Sequence, residues 1–180
     1  MIAFVYAGQG SQRVGMGKDF YEEFPGFAHV FDHAPVEFDL KTLCFEGPEE
    51  KLSQTRYTQP CMAAFAVGVT SLLAQEGIRP QAAAGLSLGE YSALHAAGVF
   101  SQGTAISTVA FRGKVMEEAA AGLECGMTAV LGLDREKLQT ACDGASELGV
   151  VQICNYNCPG QLVIGGEREA VDRAGELAKE

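Results

Sequence analysis

The sequence predicts an α/β chain in two parts, a parallel-sheet domain followed by a small β-α-β-β-α unit. Three observations carry this. Residues 2–6 are an unbroken apolar run, typical of a strand covered on both faces in a parallel sheet. Residues 82–98 read as a short buried strand, a sharp turn at Ser87 and a helix that stops on Gly98. Beyond Gly122 the pattern changes to closely spaced strands and helices. The expected division is residues 1–122 and residues 123–180, each part incomplete within this chain.

The turn at Ser87 bears the clearest chemistry. Gly85-Leu86-Ser87-Leu88-Gly89 fits G-x-S-x-G between a strand and a helix, the setting that pattern requires. A serine on so tight a bend is strained, with its hydroxyl aimed outward, and side chains at 85 or 89 would collide with the strand or helix alongside. The helix N-terminus behind it offers free N–H groups and partial positive charge, which suit a developing oxyanion. The plainer alternative makes Ser87 a helix cap and the glycines simple turn residues. The flanking strand and helix favour a nucleophile.

Taken in order, the first strand runs into Ala7-Gly8-Gln9-Gly10-Ser11-Gln12. G-x-G-x-x-G is not completed, because position 13 is Arg13, and no G-K-[ST] follows. What is left is a turn that lets backbone approach another group closely, with Gln9 as a candidate second wall of the oxyanion pocket. Over residues 18–57, Phe20, Phe24, Phe27, Val30 and Phe31 fall near helical spacing, interrupted at Pro25-Gly26, and read as core. His29 and His33 lie four apart without an H-E-x-x-H pattern, so no metal site is expected.

Thr58-Gln59-Pro60 predicts the start of a strong helix, with Thr58 as N-cap and Pro60 in the first turn. Met62, Phe65, Ala66, Val69, Leu72 and Leu73 form its apolar face, and Gly77 ends it. Ser101 can cap a further helix running to about Ala120. On that helix Ala105, Val109, Arg112 and Met116 share a face, opposite Lys114, Glu117 and Glu118. An inward guanidinium needs an anion, since loss of its partner leaves an uncompensated charge worth ~3–5 kcal/mol. A structural ion pair or a snorkelling side chain is one reading of Arg112. A bidentate clamp for a carboxylate substrate is the functional one.

Residues 122–126 read as a glycine-containing hinge. Strands are then expected at 127–133, 150–154 and 161–165, with helices at 134–145, capped by Asp134, and at 167–179. This order is a split βαβ unit without its final strand. The helical pattern still runs at Lys179-Glu180 with no glycine or proline stop, which predicts a piece of a longer protein.

Composition narrows the function classes. The chain has 180 residues, 47% of them hydrophobic and 20% charged, as in a soluble globular protein. No apolar run reaches membrane-span length, and the start lacks the basic region of a signal peptide, which points to the cytoplasm. A net charge of −10 with 13 scattered basic residues argues against a nucleic-acid partner. The six cysteines form no C-x-x-C pair, and Cys154 and Cys158 have no second pair or histidine cluster to complete a zinc site. They read as free thiols in a reducing compartment.

Five motifs stand in order: Gly8-Gln9-Gly10-Ser11-Gln12, Thr58-Gln59-Pro60, Gly85-Leu86-Ser87-Leu88-Gly89-Glu90-Tyr91-Ser92-Ala93-Leu94, Arg112-Gly113-Lys114-Val115-Met116-Glu117-Glu118-Ala119 and Asn155-Tyr156-Asn157-Cys158-Pro159-Gly160-Gln161. Together they resemble those of the malonyl-CoA:acyl-carrier-protein transacylases and their polyketide acyltransferase relatives. The resemblance covers essentially the whole chain. It implies an α/β-hydrolase-like domain carrying a small ferredoxin-like domain. It implies Ser87 as the acyl-accepting nucleophile and the backbone N–H groups of Leu88 and Gln9 as oxyanion donors. Arg112 would pair with the malonyl carboxylate, and Gln59 would line the same pocket.

The implied partners are malonyl-CoA, as a substrate rather than a cofactor, and acyl carrier protein; no metal or other cofactor is implied, and the full-length protein is expected to be a monomer. Two departures matter. The residue before the serine is commonly histidine and is Leu86 here, which leaves donor selectivity open. The family's catalytic histidine comes after the small domain, and none of His29, His33 or His95 corresponds to it. His95 lies eight residues past Ser87 on the same helix, about 12 Å along the axis. The rival readings are a serine esterase or thioesterase, and a folding or carrier-docking module without turnover.

Overall fold

The structure, a computed structural model, describes residues 1–179. It divides into two units, Met1–Ala119 and Ala120–Glu180.

In the first unit, β1 (Ala3–Tyr6) pairs in parallel with β2 (Ala82–Gly85), in the register Ala3 to Ala82 through Tyr6 to Gly85. The crossover between them holds α1 (Lys18–Glu23), α2 (Pro25–Asp32), α3 (Leu40–Glu46), α4 (Glu49–Leu52) and α5 (Thr55–Gln75). After β2 come α6 (Gly89–Ala96) and α7 (Gln102–Ala120). The core lies between α2 and α5. Phe27 is fully buried and stacks on Phe31 at 4.9 Å between ring centres. Its ring sits so close to α5 that a Cβ on Gly68 would come within 2.5 Å of it.

Three expectations are corrected here. The paired strands are not covered on both faces. Phe4, Tyr6, Ala83 and Gly85 are half-buried, whereas Val5 is 81% exposed and Ala82 and Ala84 are exposed. Strand side chains alternate, and helices cover one face of the pair only. The covered side is pinned by the Tyr6 hydroxyl, 2.7 Å from the Thr70 hydroxyl on α5.

Helix α5 begins four residues earlier than expected, at Thr55, with Gln54 rather than Thr58 as N-cap. Thr58 is therefore not a cap. It is buried inside the first turns, where its hydroxyl donates to the carbonyls of Leu52 and Gln54 and ties α4 to α5. The deepest residues of α5 are the small ones, Cys61, Ala63, Ala64 and Val67, because they let the α2 aromatics approach; Phe65, Val69 and Leu72 pack partly buried at the edge.

On α7, Ser101 caps the helix by accepting from the Thr104 N–H at 3.1 Å. Ala105 and Val109 are fully buried, but Met116 is 44% exposed, so the apolar stripe surfaces along the helix. Glu117, placed on the wet side by periodicity, instead accepts from the Arg56 N–H at 3.3 Å and pairs with the Arg56 guanidinium at 3.6 Å.

The second unit contains β3 (Cys125–Leu131), α8 (Arg135–Ala145), a short 3-10 turn (Ser146–Leu148), β4 (Val151–Cys158), β5 (Gln161–Glu167) and α9 (Arg168–Leu177). Its sheet is antiparallel in the order β3-β5-β4. Leu138, Cys142, Leu162, Ile164, Val171 and Ala174 form its core. Asp134 caps α8 through the Lys137 N–H. Gly126 lies within β3, not in a hinge, and the strand end is held where the Arg168 N–H donates to the Glu124 carbonyl at 2.9 Å. β4 runs four residues past the expected end at 154. The asparagines of Asn155-Tyr156-Asn157 have poor strand propensity, yet pairing with β5 continues through two register shifts. Glu180, where the sequence pattern is still helical, lies outside the described residues.

Among the described residues, no helix is long and apolar enough to cross a membrane. All six cysteines are free thiols.

Candidate active site

The site is built at the end of β2. Leu86 donates its N–H to the Tyr6 carbonyl at 3.0 Å, so the sheet fixes the chain up to the bend. Ser87 then takes φ +52, and among the described residues it is the one non-glycine with positive φ. That conformation costs of order 1–3 kcal/mol and is kept only where the surroundings enforce it. The surroundings are the two glycines. A Cβ on Gly85 would stand 2.0 Å from the Gly89 carbonyl carbon, and one on Gly89 would stand 2.4 Å from the Tyr6 carbonyl oxygen. Strand, bend and helix are therefore in backbone contact, which throws the Ser87 side chain out of the turn.

Two backbone donors lie at this bend. Leu88 is the N-cap of α6, is buried, and its N–H makes no hydrogen bond among the described residues. The loop after β1 packs on the elbow at Gly8, where a Cβ would meet the Leu86 carbonyl oxygen at 3.0 Å. The next residue is Gln9, whose N–H is likewise uncommitted among the described residues. Its side-chain Nε2 donates to the Thr55 hydroxyl at 3.1 Å.

The guanidinium of Arg112 reaches the serine. Nη2 donates to Ser87 Oγ at 3.0 Å, and Nη1 donates to Gln59 Oε1 at 2.7 Å. Gln59 is 1% exposed, and its Nε2 points to Met116 Sδ at 3.4 Å. Arg112 also lies over the Tyr91 ring at 5.8 Å, and Tyr91 stacks in turn on Phe100. No acidic side chain pairs with Arg112 among the described residues.

Ser87, Arg112 and Gln59 thus form one hydrogen-bonded cluster, with Gln9 and Leu88 on the adjoining loops. Leu86 is 43% exposed beside them. Tyr91 and Thr55 were not singled out by sequence. The usable signal for Thr55 was spacing, because it lies four residues before Gln59, one helical turn away, and Tyr91 lies within the serine motif itself.

The histidines are not part of this cluster. His95 Nδ1 bonds with the Phe100 carbonyl at 3.0 Å, and His33 Nδ1 with the His29 carbonyl at 2.9 Å. A cavity of about 970 Å³ in this unit is lined by Phe4, Tyr6, Met62, Phe65, Val69 and Ser92 among others, and by neither Ser87 nor Arg112.

In chemical terms, an outward hydroxyl beside unspent backbone donors is suited to accept an acyl group and stabilise its oxyanion. A half-buried cation without an acidic partner among the described residues is suited to bind an acyl chain ending in a carboxylate.

Comparison with known proteins bears on the family of the chain. The acyl transferase domain family matches residues 3–180. The malonyl CoA-acyl carrier protein transacylase of Bacillus subtilis (strain 168) is 46% identical over 182 residues, a span that is 99% of this chain and 57% of the relative. The enzyme of the same description from Escherichia coli (strain K12) is 43% identical, over 99% of this chain and 59% of the relative. Among solved structures, the MCAT of Streptococcus pneumoniae superposes with a TM-score of 0.87 at 49% identity, covering 98% of this chain and 58% of that one. A malonyl-transacylase in complex with a type II polyketide acyl-carrier protein gives 0.88 at 42% identity, with 98% and 58% covered. The chain spans a little under three-fifths of the length of these relatives. Because the match runs from residue 3 to residue 180 and identity exceeds 40% over nearly all of that span, the chain belongs to the acyl transferase domain family.

Proposed function

We propose that this chain carries the nucleophile and the carboxylate clamp of a malonyl-CoA:acyl-carrier-protein transacylase serving fatty acid synthesis. The observation that carries the reading is the Arg112 guanidinium at hydrogen-bond distance from Ser87 Oγ with no acidic partner among the described residues. An acyl group on Ser87 that ends in a carboxylate would place its charge where that cation is free to receive it.

The reaction has two steps. Ser87 Oγ bonds to the malonyl carbonyl carbon while a base takes the hydroxyl proton, the C–S bond to coenzyme A breaks, and the thiol leaves protonated. A carrier thiol then attacks the seryl ester and restores the Ser87 hydroxyl. The Leu88 and Gln9 N–H groups hold the oxyanion in both steps. The base is assigned to a histidine outside these 180 residues, since His95 and His33 bond backbone carbonyls away from Ser87 and the His29 ring lies beside that of His33. Neither step calls for a metal or a further cofactor.

The finer architecture is proposed on the same footing. The parallel pair and its helices are part of an α/β-hydrolase-like domain, and the β3-β5-β4 sheet with α8 and α9 is part of a ferredoxin-like one. Six free thiols fit a reducing, cytoplasmic setting. A polyketide pathway is the second reading, favoured by the likeness to a transacylase solved with a polyketide carrier.

Mass spectrometry of the full-length enzyme after malonyl-CoA treatment is the test. A malonyl adduct on Ser87, absent from Ser87→Ala and discharged by a carrier thiol faster than by water, supports the reading. Equal discharge with and without the thiol makes the protein a thioesterase, and no adduct removes the assignment.

A further inference from the structure

We propose that Thr55 is the positioning residue whose hydroxyl holds the Gln9 loop against the first turn of α5, beside the helix that carries Arg112. The inference rests on the transacylase reading above and adds to it a residue that neither binds the acyl group nor reacts.

Two contacts meet at this residue, and a third lies one helical turn further along α5. Its hydroxyl oxygen accepts from Gln9 Nε2 at 3.1 Å, across 46 residues of sequence. Its carbonyl oxygen lies 2.8 Å from where a Cβ on Gly113 would stand, so α7 crosses α5 at near backbone contact, one residue from Arg112. Gln59 follows it by one helical turn on the same side of α5 and accepts from Arg112 at 2.7 Å. The residue that opens α5 is therefore in touch with the loop bearing one oxyanion donor and with the helix bearing the guanidinium.

The residue type suits the task. Threonine is β-branched and stiff at χ1, so its hydroxyl oxygen is an acceptor of fixed direction. The Gln9 loop is glycine-flanked and exposed, and it has little else to hold its side chain. Pinning that side chain limits the conformations of the Gln9 peptide, whose N–H has to face the oxyanion. Removing an oxyanion donor outright costs about 100- to 1,000-fold in rate. Loosening one should cost less, about 10-fold.

The two halves of the site respond differently, which makes the proposal testable. An oxyanion develops whatever the acyl group, whereas Arg112 discriminates among acyl groups. Thr55→Val keeps the shape and loses the acceptor, and Thr55→Ser keeps the acceptor. Single-turnover acylation of Ser87 would be measured in the full-length enzyme with malonyl-CoA and with acetyl-CoA, alongside thermal unfolding of each variant.

The expected result is that Thr55→Val acylates about 10-fold more slowly with both donors. The malonyl-to-acetyl ratio and KM should stay within about twofold of wild type, and Thr55→Ser should restore the rate. If wild type labels but Thr55→Val acylates as fast, Thr55 has no such role and the transacylase reading stands. If Thr55→Ser is as slow as Thr55→Val, or if the loss tracks a lower unfolding temperature, the residue only packs. If wild type forms no adduct at all, both conclusions fall.

Discussion

Arg112 divides its guanidinium between the reactive atom and a buried amide, with Nη2 3.0 Å from Ser87 Oγ and Nη1 2.7 Å from Gln59 Oε1. The amide fixes one edge of the fork and the Tyr91 ring lies under its face, so the free N–H directions are set before any substrate arrives. On the proposed role, an acyl group that ends in a carboxylate would gain those donors and an acetyl group would leave them unanswered. Arg112→Ala is expected to lower malonyl loading of Ser87 about 100-fold or more, since charge-assisted hydrogen bonds are worth about 1.5–3 kcal/mol each. Acetyl loading should change far less. Arg112→Lys should recover only part of the malonyl rate, because an ammonium lacks the planar fork. Equal malonyl and acetyl loading by wild type, unchanged in Arg112→Ala, would falsify the clamp.

The bend at Ser87 should hold measurable strain. Its φ of +52 is a conformation that alanine tolerates poorly and glycine freely. Ser87→Ala and Ser87→Gly both lack the hydroxyl and lose the Arg112 contact equally, so the difference between them isolates the backbone. Ser87→Gly is expected to be about 1 kcal/mol more stable than Ser87→Ala in urea unfolding, with neither forming an acyl adduct. Ordinarily such a glycine, with its freer unfolded chain, would be the less stable of the two. A more stable Ser87→Ala would mean that the bend is not strained.

What could be read from sequence was whatever depends on local spacing. G-x-S-x-G between an apolar run and a helical segment placed the serine, and the position of Arg112 in the Ala105, Val109 stripe placed the cation inward. The order β3, α8, β4, β5, α9 followed from period changes alone. What could not be read depends on packing. Thr58 looked like a cap because threonine before Gln-Pro is a start signal, but α4 and α5 share its hydroxyl and the helix starts earlier. The strands looked doubly covered because Ile2, Val5 and the alanines are apolar, and apolarity does not say how many neighbours a sheet has. Thr55 lies outside the motifs and Tyr91 within one that named no role for it, and their part in the cluster comes from α5, α6 and α7 meeting in space.

The two elbow glycines should be intolerant for a different reason from Ser87. Their constraint is contact with backbone, not φ. A Cβ on Gly89 would stand 2.4 Å from the Tyr6 oxygen and 2.8 Å from the Ala7 oxygen, and one on Gly85 would stand 2.0 Å from the Gly89 carbonyl carbon. None of these atoms can swing aside as a side chain could. Gly89→Ala and Gly85→Ala are each expected to cost about 3 kcal/mol or more and to move the bend, so that acylation of Ser87 falls even where folded protein is recovered. By contrast, Gly103→Ala on α7, where the nearest atom is a Pro35 carbon at 4.0 Å, should be neutral or slightly stabilising.

Away from the site, the acid stability of the first unit should depend on a small polar cluster joining α1, α2 and α3. The Tyr21 hydroxyl donates to Asp32 Oδ1 at 2.9 Å, and Lys41 Nζ donates to the same carboxylate at 3.1 Å and to the Tyr21 oxygen at 3.0 Å. The Tyr21 hydrogen bond first, and then Lys41, hold the Asp32 carboxyl below its ordinary value of 3.8. The folded chain therefore binds that proton less readily than the unfolded chain. The stabilisation is fully present above the ordinary value and is lost as pH falls through the lower folded-state value.

Lys41 gives the mirror case. The Tyr21 hydroxyl and Asp32 raise its ammonium above the ordinary value of 10.5, so its share is present below that pH and is lost only in stronger base. The side chains of Lys41 and Asp32 are about two-fifths exposed, so solvent screens the pair and the effect is modest. Asp32→Asn should lower the unfolding temperature by a constant, small amount between about pH 5 and pH 9. The gap from wild type should close as the pH falls below about 4, and Tyr21→Phe should narrow the gap by removing the larger contributor. Thermal melts across that range decide it, and a gap that stays open at pH 2 would show that Asp32 stabilises the fold by something other than its charge.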